Sequence, residues 1–290
     1  AMGGSGKTPV VRQLVAELKA AGYQPAVLTR GYGRRSNSPV TLLRAGSSAD
    51  VETTGDEAQT VLQDGIAHVA IGADRFRAAL AAEQEFSPDV FVMDDGFQHA
   101  RLGRDIDVVV LDGLDPLAGG HVFPAGSQRE PFSSLRRCHA IVISRTEGRA
   151  VEALRKHLPE GIPMFVSETR PACWRSLETG ARASLDDFRG AEVFAFCGLG
   201  NPDAFRRTLS DCGCRVRGFT AFPDHHWFTE ADLAAIREQA NGYALVTTEK
   251  DAARVPHPFP AHALEIRCLA PGLAPYVTVR LRHRLSVTRL

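Results

Sequence analysis

The sequence predicts an α/β protein with a mostly parallel sheet, helices on both faces of that sheet, and a smaller second α/β domain. Short apolar runs rich in Val and Ile alternate with helical patterns through the first 170 residues, and a second alternation follows residue 190. A glycine-rich segment that ends in Lys7 and Thr8 opens the first helix, as phosphate-binding loops do in P-loop NTPase-like folds.

The elements of the first region follow from local patterns. Leu14 and Leu18 recur at helical spacing after Pro9, and Gly22 ends this first helix. Apolar, β-branched runs predict strands at Pro25–Thr29, Val69–Gly72, Val90–Asp94, Ile106–Leu111, Ala140–Ser144 and Pro163–Val166. Helical periodicity predicts helices at Asp74–Phe86 and Ala150–Leu158.

Residues 168–182 mix Pro, Trp, Arg and Gly without periodicity, and they predict a connector between two domains, 1–170 and 171–290. The strands predicted beyond it are Glu192–Phe196, Val216–Thr220, Ala244–Thr247, Ala263–Leu269 and Tyr276–Leu281. The helices predicted there are Pro202–Cys212 and Thr229–Ala240.

Composition excludes several classes of protein. The 290 residues suffice for two domains, and 34 basic against 34 acidic side chains give no overall field that attracts nucleic acid. The six cysteines form no C-x-x-C pair, which predicts reduced thiols rather than a disulfide frame or a zinc site. No apolar run approaches the roughly 20 residues that span a bilayer, and no signal peptide is recognised.

The predicted phosphate-binding loop consists of Gly3, Gly4, Ser5, Gly6, Lys7 and Thr8. Its glycines let successive N–H groups face one anion, Lys7 reaches towards β- and γ-phosphates, and the Thr8 hydroxyl is a ligand for Mg²⁺. Ala1 stands where the full motif has glycine, and we expect the strand that precedes such a loop further upstream. A linker is the alternative, although Lys-Thr-Pro before a helix is not linker composition.

Two carboxylates, Asp94 and Asp95, end an apolar strand. In a phosphate-loop fold the acid that ends the neighbouring strand holds Mg²⁺ directly or through water. An ordinary strand-end turn is the alternative, but Gln98 and His99 follow at once and make the cluster unusually polar.

Other candidates are weaker when taken alone. Asp56, in Gly-Asp-Glu, suits a base that accepts a hydroxyl proton or a plain helix cap. Arg30 and Arg75 are candidates for gripping phosphate, with a solvated helix residue as the alternative for Arg75. Arg129 and Glu130 suit a nucleotide contact or a surface ion pair.

In the second region, Pro223-Asp224-His225-His226 favours a carboxylate–imidazole pair over a metal site, because no further ligand stands at usable spacing. The segment Glu249-Lys250-Asp251 ends a strand with alternating charges, which suits a nucleotide-base contact or a salt-bridged turn.

Taken in order, eight motifs resemble those of the tetraacyldisaccharide 4'-kinase (lipid A 4'-kinase) family. They are GGSGKTP (3–9), TRGYG (29–33), GDE (55–57), MDDGFQH (93–99), PAGSQREP (124–131), FCGLGNPDAF (196–205), FPDHH (222–226) and TTEKDA (247–252). The family has two α/β domains joined by a β-ribbon. Ser5 and Phe97 stand where it usually has Thr and Leu, and both changes are mild.

The resemblance implies roles for individual residues. Asp56 becomes the base on the sugar hydroxyl, His225 its partner with His226 as the alternative, and Lys7 a catalytic residue at the phosphates. The implied metal and water shell consists of Thr8, Asp94, Asp95, Gln98, His99 and Glu130. The implied phosphate contacts are Arg30, Arg75 and Arg129.

The resemblance also implies partners and a location. The expected cofactors are ATP and Mg²⁺, and the expected substrate is a lipid disaccharide 1-phosphate, phosphorylated at its 4'-hydroxyl to give lipid IVA. We expect a monomer, peripheral on the cytoplasmic face of the inner membrane, with no nucleic-acid partner. The second domain is expected to close over the active site, and a membrane-associating segment is expected upstream of this chain.

Two other functions remain open from the sequence. One is a soluble P-loop kinase that acts on a sugar or cofactor, and the other is a nucleotide-dependent protein switch. A switch needs neither a base nor a histidine from a second domain, so the GDE and PDHH motifs count against it.

Overall fold

The computed structural model describes residues 6–47, 49–115, 120–126, 128–146, 151, 154–155 and 158–287, without the side chains of residues 56, 57, 63 and 284–287. Contacts divide the chain into two compact units, Ala1–Thr169 with Cys268–Leu290, and Arg170–Arg267. The sequence prediction assigned residues 268–290 to the second domain, whereas they group with the first unit.

The first unit contains a four-stranded sheet in the order β2-β3-β1-β4. Its strands are β1 (Pro25–Thr29), β2 (Thr41–Leu43), β3 (His68–Ile71) and β4 (Val90–Met93). Strand β1 pairs in parallel with β3 and β4, and β2 pairs antiparallel with β3. Every residue of β1 is buried, as expected for a central strand covered on both faces.

Helices cover both faces of this sheet. They are α1 (Lys7–Ala20), α2 (Val51–Thr54), α3 (Asp56–Gln63) and α4 (Arg75–Phe86). Helices α1 and α3 share a core with Val27, whereas α4 shares a core with Leu28. Successive residues of a strand point to opposite faces, so the two cores lie on opposite sides of β1.

Three further strands of the first unit run in parallel: β5 (Val108–Asp112), β6 (Ala140–Ser144) and the start of β7 (Met164–Ser176). A short 3₁₀ helix at Phe132–Arg137 precedes β6. Val10 of α1 shares a core with Ala140 and Val142, so α1 packs against this set of strands as well as the four-stranded sheet.

The predicted strand at Tyr276–Leu281 is wrong, because these residues lie within helix α8 (Leu273–Val287). Leu273 and Val277 are buried at helical spacing, and Leu281 packs against the same core. The local Val and Thr content favours a strand, but packing against α1 and β6 overrides that preference. This packing also explains why the end of the chain groups with the first unit.

The second unit is built on the parallel strands β9 (Glu192–Cys197), β10 (Arg215–Ala221), β11 (Ala244–Thr248) and β12 (Ala261–Leu269). Their order is β10-β9-β11-β12, followed by β7, and β8 (Arg182–Ala183) pairs antiparallel with β7. The helices are α5 (Pro202–Asp211), α6 (Glu230–Ala240) and α7 (Glu249–Ala252), with a 3₁₀ turn at Leu185–Phe188.

The core of the second unit has two faces. Phe194 and Phe196 of β9 pack in one cluster with Ile236 of α6. Val193 and Ala195 alternate with them and pack in the other cluster, which includes Phe205 of α5. This period of two confirms the fully buried strand that the sequence predicts.

The predicted connector at residues 168–182 is wrong in its first half, which continues strand β7 as far as Ser176. Trp174 is fully buried against Phe188, and Arg175 binds Glu265, so the Pro- and Arg-rich sequence still alternates between two environments. Most of the predicted helix Ala150–Leu158 lies outside the described residues.

The first sheet brings several loops to one edge. The N–H of Asp94 donates to the carbonyl of Leu28 at 2.9 Å, and the N–H of Gly72 donates to Thr29 at 3.0 Å. The chain therefore leaves β1, β3 and β4 at the same carboxyl edge, where ligands bind in open α/β sheets. Among the described residues, no helix is both long and apolar enough to span a bilayer.

Candidate active site

Gly6 caps the N-terminus of α1 in the left-handed conformation, with φ of 77°. A Cβ atom at this position would lie 3.2 Å from Cβ of Ser144, the last residue of β6. The loop therefore needs glycine both for its backbone angle and for its close passage over the strand end. Gly3, Gly4 and Ser5, which complete the predicted loop, lie outside the described residues.

The hydroxyl of Thr8 donates to Oδ2 of Asp94 at 3.0 Å, which joins the start of α1 to the end of β4. Asp94 is 1% exposed, and its Oδ1 is buried with no hydrogen-bond partner among the described residues. Burial raises the pKa of Asp94, and the Thr8 hydrogen bond only partly opposes this effect. A buried carboxylate oxygen without a partner fits a site for a cation.

Asp95 follows in the left-handed conformation, with φ of 52°. Its Oδ1 lies 3.7 Å from Nζ of Lys7, and its Oδ2 accepts a hydrogen bond from Nη1 of Arg129 at 2.5 Å. Burial raises its pKa, but the hydrogen bond from Arg129 and the charges of Lys7, Arg129 and Arg75 outweigh burial and lower it. Asp95 is therefore ionised and holds two cations beside the α1 N-terminus.

Gln98 and Glu130 form the next layer of the site. Nε2 of Gln98 donates to Oε1 of Glu130 at 3.0 Å, and Arg137 donates to the other oxygen of Glu130 at 2.5 Å. The Arg137 guanidinium also lies 4.5 Å from the centre of the Phe97 ring. Sequence reasoning missed Arg137, and no local motif marks it, because its partners come from two other loops.

Arg75 and His99 lie near the same edge. Arg75 is 5% exposed, and its Nη1 donates to the carbonyl of Ala73 at 3.0 Å. Burial lowers the pKa of His99, and the charge of Arg75 lowers it further, so the imidazole is neutral at pH 7. Asp74, which the sequence analysis did not single out, fixes the start of α4 by accepting from the N–H groups of Phe76 and Arg77.

The GDE loop packs on the loop that follows β1. A Cβ atom on Gly55 would lie 2.5 Å from the carbonyl oxygen of Tyr32, and Gly55 has φ of 76°. Asp56 is the first residue of α3, so its backbone lies beside the loop that contains the exposed Arg30. The side chain of Asp56 lies outside the description.

His225 belongs to a charged cluster in the second unit. Its Nδ1 accepts from Nη2 of Arg254 at 3.0 Å, and its Nε2 lies 3.3 Å from Nζ of Lys250. Lys250 donates to Asp224 at 3.0 Å. Burial would raise the pKa of Asp224, but the hydrogen bond and charge of Lys250 lower it.

His226 has different surroundings. Its ring stacks on Phe222 with centroids 4.6 Å apart and meets Phe228 edge-on. Its Nε2 lies 3.0 Å from Asp232, which completes a capping box with Thr229 at the start of α6. His226 therefore holds a helix terminus, which favours His225 as the functional histidine of the pair.

A cavity of about 840 Å³ opens between β4 and β5 in the first unit. Its polar end is lined by Lys7, Asp94, Asp95, Gln98, Arg129 and Glu130. Its remaining walls are mostly apolar and include Val92, Val110 and Val277. The site residues that the structure brings together are therefore those at the mouth of this cavity.

Comparisons with known proteins agree with this site. The sequence model of a family described as tetraacyldisaccharide-1-P 4'-kinase matches residues 1–286. A tetraacyldisaccharide 4'-kinase of Anaeromyxobacter sp. (strain Fw109-5) is 43% identical over 286 residues, covering 93% of this chain and 74% of the relative. The enzyme of the same name from Syntrophus aciditrophicus (strain SB) is 38% identical, covering 86% of this chain and 71% of the relative.

A solved structure supports the same conclusion. The crystal structure of LpxK from Aquifex aeolicus in complex with ATP is 30% identical, with a TM-score of 0.81, and the match covers 98% of this chain and 85% of that chain. This similarity confirms the predicted fold class, and the matched lengths include all eight motifs. The chain belongs to the tetraacyldisaccharide 4'-kinase family.

Proposed function

We propose that this chain transfers the γ-phosphoryl group of ATP to the 4'-hydroxyl of tetraacyldisaccharide 1-phosphate, giving lipid IVA. The observation that carries the proposal is the Thr8–Asp94 hydrogen bond at the N-terminus of α1, with the second Asp94 oxygen buried and without a hydrogen-bond partner among the described residues. The family relationship and the ATP bound to the Aquifex aeolicus structure support the choice of reaction.

Mg²⁺ is the proposed cation. No group of three or more His, Cys, Asp or Glu side chains suited to a metal occurs in the described part of the chain. Mg²⁺ needs only one or two protein ligands beside nucleotide phosphates and water, so Thr8 and Asp94 suffice, with Asp95, Gln98, His99 and Glu130 around them. When bound, the ion neutralises charge that develops on the transferred phosphoryl group.

The cations of the site have a separate role. Lys7 and Arg129 both contact Asp95, so they stand ready at the helix N-terminus without repelling one another. An arriving triphosphate competes with Asp95 for these two side chains. Arg30 and Arg75 are proposed to hold phosphate oxygens from the loops after β1 and β3.

Asp56 is proposed as the base that accepts the 4'-hydroxyl proton, with His225 as its partner. Phosphoryl transfer depends mainly on alignment and charge neutralisation, so this base needs the correct position more than a shifted pKa. We further propose that the protein acts as a monomer, peripheral on the cytoplasmic face of the inner membrane. Tyr32 is 71% exposed next to the Arg30 loop and suits contact with a lipid surface.

The experiment uses radiolabelled ATP with tetraacyldisaccharide 1-phosphate and, separately, with water-soluble sugars. Thin-layer chromatography then shows which acceptor carries the label. We expect label on the lipid acceptor alone. Label on a water-soluble acceptor would instead support a soluble kinase, and ATP turnover without a labelled acceptor would support a switch.

Asp56→Ala tests the proposed base in the same assay. We expect kcat to fall by about 100- to 10,000-fold while ATP binding is retained, because a general base contributes on that order. Asp50→Ala is the matched control, since Asp50 is exposed and its side chain makes no capping hydrogen bond to α2. Unchanged turnover would remove Asp56 from the base role.

A further inference from the structure

The His225 ring is held by a side chain that only donates. Nη2 of Arg254 lies 3.0 Å from Nδ1 of His225. A guanidinium has no acceptor atom, so Nδ1 must be the acceptor and carries no hydrogen. The hydrogen of the neutral ring is therefore on Nε2.

Arg254 is itself fixed by burial. It is 3% exposed, and its Nη1 lies 3.5 Å from Oδ1 of Asp251, which is fully buried. The other oxygen of Asp251 accepts from the hydroxyl of Thr248 at 2.6 Å. These contacts tie the guanidinium to the end of β11 and the start of α7, so its position does not depend on solvent.

Lys250 competes for the same ring. Its ammonium also only donates, and it lies 3.3 Å from Nε2 of His225. A neutral imidazole accepts at one nitrogen, so the ring satisfies only one of the two cations. The Arg254 contact is shorter and buried, whereas the Lys250 side chain is 36% exposed and is bonded to Asp224.

We propose that Arg254 is a positioning residue that fixes His225 as the Nε2–H tautomer and so presents Nε2–H as a hydrogen-bond donor. This proposal rests on the proposed function, in which His225 is the partner of Asp56. A carboxylate accepts from Nε2–H, whereas a bare Nε2 offers nothing to an ionised carboxylate. The Arg254–Asp251 pair thus sets which ring nitrogen faces the reaction.

The direct test is ¹⁵N–¹H correlation NMR of the full chain with ¹⁵N-labelled histidine. His225→Gln identifies the His225 signals among those of the 10 histidines. We expect the wild type to show a hydrogen on Nε2 and an unprotonated Nδ1. In Arg254→Met we expect a mixture of both tautomers, while Arg237→Met leaves the pattern unchanged, because Arg237 stacks on Phe259 instead.

Kinetics complete the test. We expect Arg254→Met to lower kcat on the order of 10-fold or more, with the KM for ATP within about twofold, because only the orientation of a proton-transfer partner changes. If Arg254→Met fails to fold, Arg254→Lys keeps the charge beside Asp251 but loses the forked donor, and the same tautomer mixing is expected.

A wild-type Nδ1–H tautomer, or tautomers and kcat unchanged in the folded Arg254 variant, would overturn the proposal. Failure of the proposed function gives a different result. An enzyme that does not label the lipid acceptor still shows the Nε2–H tautomer, since the NMR experiment contains no substrate.

Discussion

The carboxyl edges of the two sheets each bury an aspartate beside a threonine hydroxyl, yet only one of these aspartates has a protein cation close to its second oxygen. Asp94 accepts from Thr8, and its Oδ1 has no hydrogen-bond partner among the described residues. Asp251 accepts from Thr248, and Arg254 lies 3.5 Å from its other oxygen. Burial raises the pKa of both groups. The first site is thus suited to an external cation, whereas the second is completed by the protein.

The largest expected effect is that of Asp94→Asn on catalysis. We expect kcat/KM to fall on the order of 100-fold or more, because the carboxylate that would hold the cation is lost. The radiolabelled assay measures this loss, with Asp105→Asn as an exposed control. Activity equal to that of the control would remove Asp94 from the site.

The same variant has an opposite effect on stability. Because the pKa of Asp94 is raised in the folded state, its ionised form destabilises the fold as pH rises through and above the unfolded-state pKa. With Mg²⁺ removed by EDTA at pH 7, Asp94→Asn is therefore expected to raise Tm in thermal unfolding. A lower Tm would contradict the view that this carboxylate lacks a partner.

Asp251→Asn is expected to act in the other direction. It leaves the buried Arg254 guanidinium without its carboxylate, which costs about 3–5 kcal/mol. Urea unfolding followed by circular dichroism measures the loss. If this variant were as stable as the wild type, the two aspartates would not differ as described.

The smallest expected effect separates the two neighbouring histidines. His226→Gln removes ring contacts with Phe222 and Phe228 and is expected to cost about 1 kcal/mol with turnover unchanged. His225→Gln is expected to reduce turnover with little change in stability. Equal loss of activity in both variants would blur the distinction.

The sequence predicted the strands well where burial on both faces leaves an uninterrupted apolar run. Strands β1 and β6 have the predicted bounds, Pro25–Thr29 and Ala140–Ser144. It failed at Tyr276–Leu281, where β-branched residues form a helix because their spacing matches the groove beside α1. Propensity is local, whereas this packing joins residues far apart in the chain.

The site divides in the same way. Thr8 and Asp94 were predicted because short motifs mark them, and the fold brings them within hydrogen-bond distance. Arg137 and Arg254 were not, because each acts on a partner from another loop and no motif announces it. The roles of Asp56, His225 and the arginines remain predictions.

The central claim, that the second oxygen of Asp94 is there for Mg²⁺, is tested most directly by isothermal titration calorimetry of ATP with the wild type and Asp94→Asn, each with Mg²⁺ and with EDTA. We predict that Mg²⁺ tightens ATP binding to the wild type by about 10-fold, which corresponds to roughly 1.4 kcal/mol, and that Asp94→Asn abolishes this difference. The same Mg²⁺ dependence in both proteins would contradict the account.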